Sequence, residues 1–251
     1  MKTLLHAFAM CQSMFCALPC PWKLWDENAR GKMLLFLPLV GLELGLLWAG
    51  LAWLCGKLCL PPLVRALLLS AYPYAVTGFL HLDGFLDVTD AVKSCRDLPR
   101  RREILKDSHV GAFAVIGCGL LLLAQFALFA SASEAADYRI ILFIPVVSRC
   151  CSALAVTSLR PMSTSQYAAL KKPKSHIVLL SVLLLSVLLL AAVTGGFLLC
   201  GKYGFASVGC FIGYALALCR GYRSLGGMNG DISGYALTVG ELCAVAVYAL
   251  V

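Results

Sequence analysis

The sequence predicts an all-α protein, a polytopic membrane bundle of about seven transmembrane helices with a cytoplasmic N-terminus. Three observations predict this fold. Of the 251 residues, 61% are apolar and only 14% are charged. Several apolar stretches reach the roughly 20 residues that a helix needs to cross a bilayer. The loops between these stretches alternate between rich and poor in basic residues. Because soluble domains are about half apolar and a quarter charged, this composition excludes an ordinary soluble enzyme, a disordered chain and a secreted disulfide module.

The chain is predicted to form a single integral membrane domain over residues 1–251, with a cytoplasmic or interfacial segment at 1–32 and the transmembrane bundle at 33–251. The apolar stretch Leu4–Leu18 is too short to span a membrane and is followed by Pro19 and Pro21. It also lacks the small-residue cleavage pattern of a signal peptide. We therefore expect a helix that lies against the membrane surface.

Seven apolar stretches are predicted to span the membrane, and the last two are short. Pro61 and Pro62 force a tight turn between the first two, because proline cannot continue a helix. The predicted spans are Met33–Leu58, Leu63–Leu80, Val110–Ala130, Tyr138–Leu159, His176–Cys200, Phe205–Cys219 and Tyr235–Val251.

Basic residues are divided unevenly between the two sides of these spans. Three of the intervening loops hold only Lys57, Arg139 and Lys202. The N-terminal segment and the other three loops hold sixteen: Lys2, Lys23, Arg30, Lys32, Lys93, Arg96, Arg100, Arg101, Arg102, Lys106, Arg160, Lys171, Lys172, Lys174, Arg220 and Arg223. Positive charge favours the cytoplasmic side, so the N-terminus is predicted inside and the C-terminus outside.

Cysteine and net charge give no sign of a redox site or of nucleic-acid binding. The thirteen cysteines form no zinc-type cluster and lie mostly in apolar runs, where a thiol acts as a small apolar group. The net charge of +8 fits cytoplasmic loops against an anionic bilayer, and no aromatic-basic motif for nucleic acid is present.

Three carboxylates follow the second predicted span in a pattern that points to a cation. Asp83, Asp87 and Asp90 stand at i, i+4 and i+7, so they share one face of a helix. Carboxylates this close repel one another unless a cation lies among them. Mg²⁺ is commonly held by a few carboxylates together with substrate phosphate oxygens. The alternative is a solvated helix end whose acids are spaced by chance.

Two further motifs lie in loops predicted on the same side. Four cations in Arg100–Lys106 precede Asp107 and Ser108, and such a run suits either a membrane anchor or a pyrophosphate site. Asp107 is either a further metal ligand or the N-cap of the third span. Gly226, Gly227, Gly230 and Gly234 surround Asp231 and allow backbone N–H groups to approach a phosphate, although a plain flexible connector is the other interpretation.

Three charged residues fall within predicted spans, where ions are costly and are usually functional. They are Glu43, Arg149 and Glu241. Arg149 is a candidate counter-ion for Glu241 or, nearer the cytoplasmic mouth, a contact for a substrate phosphate.

The motifs resemble those of a known family, the membrane cobalamin synthases, or adenosylcobinamide-GDP ribazoletransferases. The family pattern G-x-x-H-x-D-G-x-x-D-x-x-D is matched by Gly78, His81, Asp83, Gly84, Asp87 and Asp90. The family's basic stretch leads into I-[ML]-[KR]-D-S-x-x-G, which resembles Ile104, Leu105, Lys106, Asp107, Ser108 and Gly111. Its late pattern, G-G-x-x-G-D-x-x-G followed by a glutamate, is matched by Gly226, Gly227, Gly230, Asp231, Gly234 and Glu241. The likeness runs nearly end to end in the right order.

This resemblance implies a Mg²⁺-dependent transfer at the cytoplasmic face of the cell membrane. Adenosylcobinamide-GDP would react with α-ribazole, or its phosphate, to give adenosylcobalamin, or its phosphate, and GMP. Asp83, Asp87, Asp90 and Asp231, with Asp107 as a further candidate, would hold the metal, and His81 or a carboxylate would accept the ribose proton. The implied substrate contacts are Arg102, Lys106, Ser108, Arg149, Gly227 and Gly230. A homo-oligomer is compatible with this picture.

Two other functions remain open from the sequence. The DGxxDxxD core is partly similar to that of the CDP-alcohol phosphotransferases, in which Asp87 would be alanine. A cation transporter would place acids deep in its spans. Only Glu43 and Glu241 favour the transporter.

Overall fold

The computed structural model describes residues 2–20, 25–163, 165 and 175–251, and within them every regular element is a helix. Lys23, Lys171, Lys172 and Lys174, which enter the predicted charge asymmetry, lie outside the described residues. Short 3₁₀ turns precede three of the helices. The helices are α1 (Lys2–Phe15), α2 (Glu27–Arg30), α3 (Leu37–Lys57), α4 (Pro62–Val76), α5 (Leu80–Lys93), α6 (Leu98–Ile104), α7 (Ala112–Ser131), α8 (Phe143–Ser158), α9 (Ser175–Cys200), α10 (Phe205–Leu225) and α11 (Gly230–Leu250).

The helices have the length and apolarity of a multi-pass membrane protein, which confirms the predicted fold class. Five stretches could cross a bilayer, or six if α4 and α5 count as one bent span. The stretch His176–Leu225 contains both α9 and α10, which the sequence predicts as separate spans. The count of seven spans and the cytoplasmic N-terminus stay predictions.

The second predicted span, Leu63–Leu80, is wrong at its C-terminal end. Helix α4 ends at Val76, and α5 leaves it at an angle of 88°. Gly78 and Phe79 make the bend with φ values of 60° and 62°, a left-handed conformation that glycine adopts without strain. Leu80 prolongs the apolar run past this bend, so hydropathy gives no sign of it. Asp83, Asp87 and Asp90 follow this bend and lie beyond the predicted span Leu63–Leu80.

The last two predicted spans are longer in the structure than in the sequence analysis. Helix α10 continues past Cys219 to Leu225, and α11 begins at Gly230 rather than at Tyr235. Gly226 ends α10 in the left-handed conformation, with φ 70°. The Asn229 side chain caps α11 by accepting a hydrogen bond of 2.9 Å from the Ile232 N–H. The glycine-rich connector is therefore only the four residues 226–229.

Helix α11 lies at the centre of the bundle and contacts α5, α7, α8 and α10. Its contact with α5 is very close, because a Cβ placed on Gly84 would lie 2.8 Å from the Asp231 carbonyl oxygen. Helix α1 buries Ala7, Met10 and Cys11 against the start of α3. These contacts bring α1, α5 and the N-terminus of α11 to one end of the bundle.

Candidate active site

The acidic face of α5 meets the first turn of α11. Asp83 is exposed, whereas Asp87 and Asp90 are partly buried. Asp231, in the first turn of α11, is also partly buried, and its carboxylate accepts a hydrogen bond of 2.5 Å from the Asn229 amide. Glycine at position 84 permits this contact, since any side chain there would collide with the Asp231 backbone. Four carboxylates thus lie at one junction.

Asp87 is the member of this group most affected by the others. Burial, followed by the charges of Asp83, Asp231 and Asp90, raises the pKa of Asp87 to about 7. Among the described residues, no Lys or Arg forms an ion pair with any of the four carboxylates. No direct ion pair within the described residues therefore relieves their mutual repulsion.

Asp90 lies against the start of α7. A Cβ on Gly111, the N-cap residue of α7, would collide with both carboxylate oxygens of Asp90. No other residue type fits at position 111 unless Asp90 moves. The positive end of the dipole of α7 favours a carboxylate here.

The donor set suits Mg²⁺, although no metal cage is formed in advance. In the part of the chain that the structure describes, no three His, Cys, Asp or Glu side chains converge closely enough to hold a metal ion. Mg²⁺ usually keeps several waters and binds one or two carboxylates together with substrate phosphates, so a closed protein cage is not required. Unpaired carboxylates at one junction match this preference.

Two cavities flank these carboxylates, and we call them the outer and the inner cavity. The outer cavity measures about 550 Å³ and is polar, with Asp90, Ser94, Arg96, Asp97, Arg100, Ile104 and Phe113 in its wall. The inner cavity, between α1, α5, α8 and α11, measures about 170 Å³. Its wall contains Met14, Phe15, Leu34, Leu80, His81, Asp83, Ser152, Val156, Gly230, Asp231, Ser233 and Gly234.

His81 lies between α1 and α11 in the wall of the inner cavity. Its side chain is 7% exposed and its Nε2 atom has no hydrogen-bond partner among the described residues. The Phe15 ring stacks on the imidazole, with 6.3 Å between ring centroids and 15° between the planes. Thr238 donates to the His81 carbonyl oxygen at 3.2 Å. A buried, unpartnered ring nitrogen is uncommon in a folded protein, because an unpaired buried polar atom is costly.

The Arg102 side chain is hydrogen-bonded to backbone carbonyls at the C-terminal end of α10. Its Nε donates to the Leu225 carbonyl at 2.9 Å, and its Nη2 donates to the Gly226 carbonyl at 3.1 Å. Arg101 makes a similar bond of 3.3 Å to the Ser224 carbonyl. These cations satisfy the free carbonyls at the negative end of α10. The basic run therefore attaches α6 to α10, whatever else it binds.

Asp107 lies apart from the four carboxylates. It accepts hydrogen bonds from the His109 N–H at 3.0 Å and from the His109 ring at 2.7 Å, which hold its pKa below the usual range. Gly111 is the N-cap of α7, so the prediction that Asp107 caps this helix is wrong. Lys106 and Ser108 are exposed beside it and contribute to neither cavity.

Arg149 and Glu241 form a buried ion pair between α8 and α11. Both side chains are at most 5% exposed, and the guanidinium donates directly to the carboxylate. Ser148 donates to the same carboxylate oxygen at 2.8 Å. Of the two predicted roles for Arg149, the structure shows the counter-ion for Glu241. A second acid predicted within a span, Glu43, is partly buried in α3.

Comparisons with known proteins identify the family. The family model described as CobS, cobalamin-5-phosphate synthase, matches residues 7–249. The chain belongs to this family. A relative from Clostridium perfringens (strain SM101 / Type A), named adenosylcobinamide-GDP ribazoletransferase, is 36% identical over 252 residues, which is all of both chains. Relatives of the same name from Clostridium botulinum (strain Alaska E43 / Type E3) and Geotalea daltonii are 33% and 32% identical over at least 96% of each chain. No solved structure matches significantly.

Two glycines predicted to contact substrate in this cobalamin-5-phosphate synthase family member have different surroundings. Gly230 lies in the wall of the inner cavity. Gly227 instead packs on the segment after α8, where an added Cβ would lie 2.9 Å from the Met162 N atom. The Met228 N–H donates to the Arg160 carbonyl and the Met162 N–H donates to the Met228 carbonyl, each at 2.9 Å. Gly227 is thus explained by local packing.

Several residues of the two cavities escaped the sequence analysis. Met14 and Phe15 lie in a segment predicted only to rest on the membrane, and nothing in its pattern indicates a contact with α5. Ser152 on α8 and Ser233 on α11 face each other at 2.6 Å, a contact between spans that spacing cannot reveal. The position of Ser233 inside the glycine-rich motif was the one available signal.

Proposed function

We propose that this membrane enzyme is an adenosylcobinamide-GDP ribazoletransferase that acts late in cobalamin biosynthesis. It joins adenosylcobinamide-GDP to α-ribazole or α-ribazole phosphate, giving adenosylcobalamin or its phosphate and releasing GMP. One observation carries the proposal. In a chain of the cobalamin-5-phosphate synthase family, four carboxylates of α5 and α11 meet between two cavities without a cationic partner among the described residues.

The reaction exchanges one phosphate ester bond for another. A ribose hydroxyl oxygen of the acceptor bonds to the phosphorus that carries the cobinamide. The bond from that phosphorus to the bridging oxygen breaks, and this oxygen leaves with GMP. The hydroxyl proton passes to His81 or to a carboxylate, and His81, Asp83 and Asp231 lie in the wall of the inner cavity.

The carboxylates Asp83, Asp87, Asp90 and Asp231 are the residues that would hold Mg²⁺. Bound there, the cation supplies positive charge against the charge that builds up on the phosphates as GMP leaves. The carboxylates would hold this cation next to both cavities. They stand on α5 and α11, which are in close contact at Gly84. Asp107 stands outside this group.

The outer cavity suits the diphosphate of the donor. Arg96 and Arg100 lie in its wall beside Asp90, and arginine forks match phosphate oxygens well. Lys106 and Ser108 are proposed as further phosphate contacts from the same end of the bundle. Arg102 and Gly227 would support the site through the α6–α10 and α10–α11 connections, and Arg149 through Glu241.

The proposed location is the cytoplasmic face of the cell membrane. Arg96, Arg100, Arg101 and Arg102 lie at the same end of the bundle as the carboxylates, and positive loops favour the cytoplasm. Both substrates and the departing GMP are charged or polar, so an aqueous opening at that face is needed. Association into a homo-oligomer is a separate prediction, which the mass of the solubilised particle would test.

The experiment is product detection with the purified protein in detergent. Adenosylcobinamide-GDP and α-ribazole are supplied together and singly, with Mg²⁺ or with EDTA. We expect GMP and the joined corrinoid in equal amounts, only when both substrates and Mg²⁺ are present. The same reaction is run with α-ribazole phosphate to determine which acceptor is preferred.

Other outcomes would support the alternatives. Release of CMP from a CDP-alcohol, without GMP from adenosylcobinamide-GDP, would favour a CDP-alcohol phosphotransferase. Cation uptake into liposomes without any nucleotide release would favour a transporter. A wild-type protein that is folded and yields no GMP contradicts the proposed function.

A further inference from the structure

The wall of the inner cavity combines apolar and polar residues. The apolar ones come largely from the N-terminal region and are Met14, Phe15, Leu34, Leu80 and Val156. The polar ones belong to the carboxylate junction and to α8, and are His81, Asp83, Ser152, Asp231 and Ser233. A ligand that fills the cavity therefore meets both apolar surface and hydrogen-bonding groups.

Helix α1 is fixed in position as part of this wall. The Ala17 N–H donates to the Val76 carbonyl at the end of α4, at 2.8 Å. At the other end of the segment, His6 and Asp26 are joined through Nδ1 and Oδ2 at 2.9 Å. Phe15 stacks on His81 between these two attachments. Met14 and Phe15 are thus held in the cavity wall by a segment that carries no acidic or glycine motif.

We propose that the inner cavity binds the aromatic base of the nucleoside acceptor, with Phe15 and Met14 as its apolar wall. This inference rests on the proposed function, which supplies α-ribazole as that acceptor. The base of α-ribazole is a benzimidazole whose outer edge carries methyl groups and no hydrogen-bonding groups. Such an edge suits Met14 and Phe15, while the ribose end reaches Asp83 and Asp231.

Size and polarity argue against the other large groups of the substrates. At about 170 Å³ the cavity is below the roughly 300 Å³ at which sites for drug-sized ligands begin, so it cannot hold a corrinoid. Guanine carries donors and acceptors around its edge, and the apolar wall would leave them unpaired, which is costly. A flat base with an apolar edge meets neither obstacle.

His81 is the second observation that points to a ligand. Its side chain is more than nine-tenths buried in the cavity wall, and its Nε2 lacks a partner among the described residues. A bound nucleoside offers ring nitrogen and ribose hydroxyl groups that can pair with a buried imidazole. The Phe15 ring stacks on this imidazole, so a change at Phe15 alters both the apolar wall and the surroundings of His81.

The test is acceptor binding without turnover. Equilibrium dialysis of radiolabelled α-ribazole against the full-length protein in detergent gives its dissociation constant in the absence of adenosylcobinamide-GDP. We expect Phe15→Ala to weaken this binding about tenfold, as removal of an aromatic anchor commonly does, and Phe15→Leu to weaken it less. In turnover, Phe15→Ala should raise the KM for α-ribazole and leave the KM for adenosylcobinamide-GDP unchanged.

Leu5→Ala is the matched control, because Leu5 lies on α1 and is 63% exposed. It should bind α-ribazole as the wild type does. Unchanged α-ribazole binding in a folded Phe15→Ala variant would overturn the inference, and so would a rise confined to the KM for adenosylcobinamide-GDP. Both results leave the proposed function intact, whereas its own failure appears as absent GMP release in the wild type.

Discussion

At the scale of single residues, the carboxylates of α5 and α11 repel one another unless a cation binds among them. Asp87 is partly buried and lies within the fields of Asp83, Asp90 and Asp231. No Lys or Arg in the described residues pairs with them. Such an arrangement does not favour stability, is common at functional sites, and supports the proposed cation site.

The charge repulsion at Asp87 predicts the effect of Asp87→Asn in the absence of divalent cations. The change removes one negative charge from a partly buried group, so in EDTA we expect the folded state to gain up to about 1 kcal/mol. Thermal unfolding in detergent measures it. Added Mg²⁺ should then raise the melting temperature of the wild type more than that of the variant. A variant less stable than the wild type in EDTA would mean that Asp87 is held by favourable contacts.

The Arg149–Glu241 pair makes a different kind of prediction, because each charge compensates the other inside the bundle. Glu241→Gln leaves a buried guanidinium without its carboxylate and should cost about 3 kcal/mol of stability. Combining it with Arg149→Met should recover part of that loss. A double-mutant cycle on melting in detergent gives the coupling. Strictly additive effects would show that the two side chains do not depend on each other.

At the scale of helices, the site depends on how closely α5 and α11 approach. Gly84 and Gly234 lie on opposite sides of this contact, and an added Cβ at Gly234 would be 3.2 Å from the His81 carbonyl oxygen. The atoms in the way are mostly backbone atoms, which cannot rotate aside. Two glycines of the family motifs thus act by bringing Asp83 and Asp231 to the same junction.

We expect Gly84→Ala to force α5 and α11 apart, since the new Cβ would lie 3.0 Å from the Asp231 Cα. Overpacking of this kind usually costs about 1–3 kcal/mol of folding stability. GMP release should fall because the carboxylates of the two helices move apart. Melting temperature and turnover are both measured.

The matched control is Gly119→Ala on α7, where an added Cβ has nothing within 4 Å. Alanine is a better helix former than glycine, so this variant should be as stable as the wild type or gain up to about 1 kcal/mol. Equal losses in the two variants would refute the packing explanation for Gly84.

At the scale of the whole molecule, local patterns were enough for the helical fold class and for the shared face of Asp83, Asp87 and Asp90. The i, i+4, i+7 spacing of Asp83, Asp87 and Asp90 places them on one face wherever a helix forms. The bend at Phe79 was not predictable, because its cause is a left-handed pair of residues within an apolar run. The contact of Phe15 with His81 and the commitment of Arg102 to α10 depend on tertiary packing between distant segments.

The predicted orientation can be tested with two native cysteines. Cys59 is exposed between α3 and α4, and Cys95 is exposed between α5 and α6, in loops predicted on opposite sides of the membrane. In right-side-out membrane vesicles, we expect an impermeant maleimide to label Cys59 and not Cys95. Cys59→Ser should then remove the label, whereas Cys95→Ser should not. The reverse pattern would place the active site outside.

The central claim is that the carboxylates of α5 and α11 carry out the transfer. The most direct measurement compares Mg²⁺-dependent GMP release from adenosylcobinamide-GDP and α-ribazole in Asp87→Asn and Glu134→Gln, both purified in folded form. Glu134 is an exposed carboxylate beyond the C-terminus of α7, at the end of that helix away from Asp90. We expect Asp87→Asn to abolish GMP release and Glu134→Gln to retain wild-type turnover. Normal Mg²⁺-dependent turnover by Asp87→Asn would contradict it.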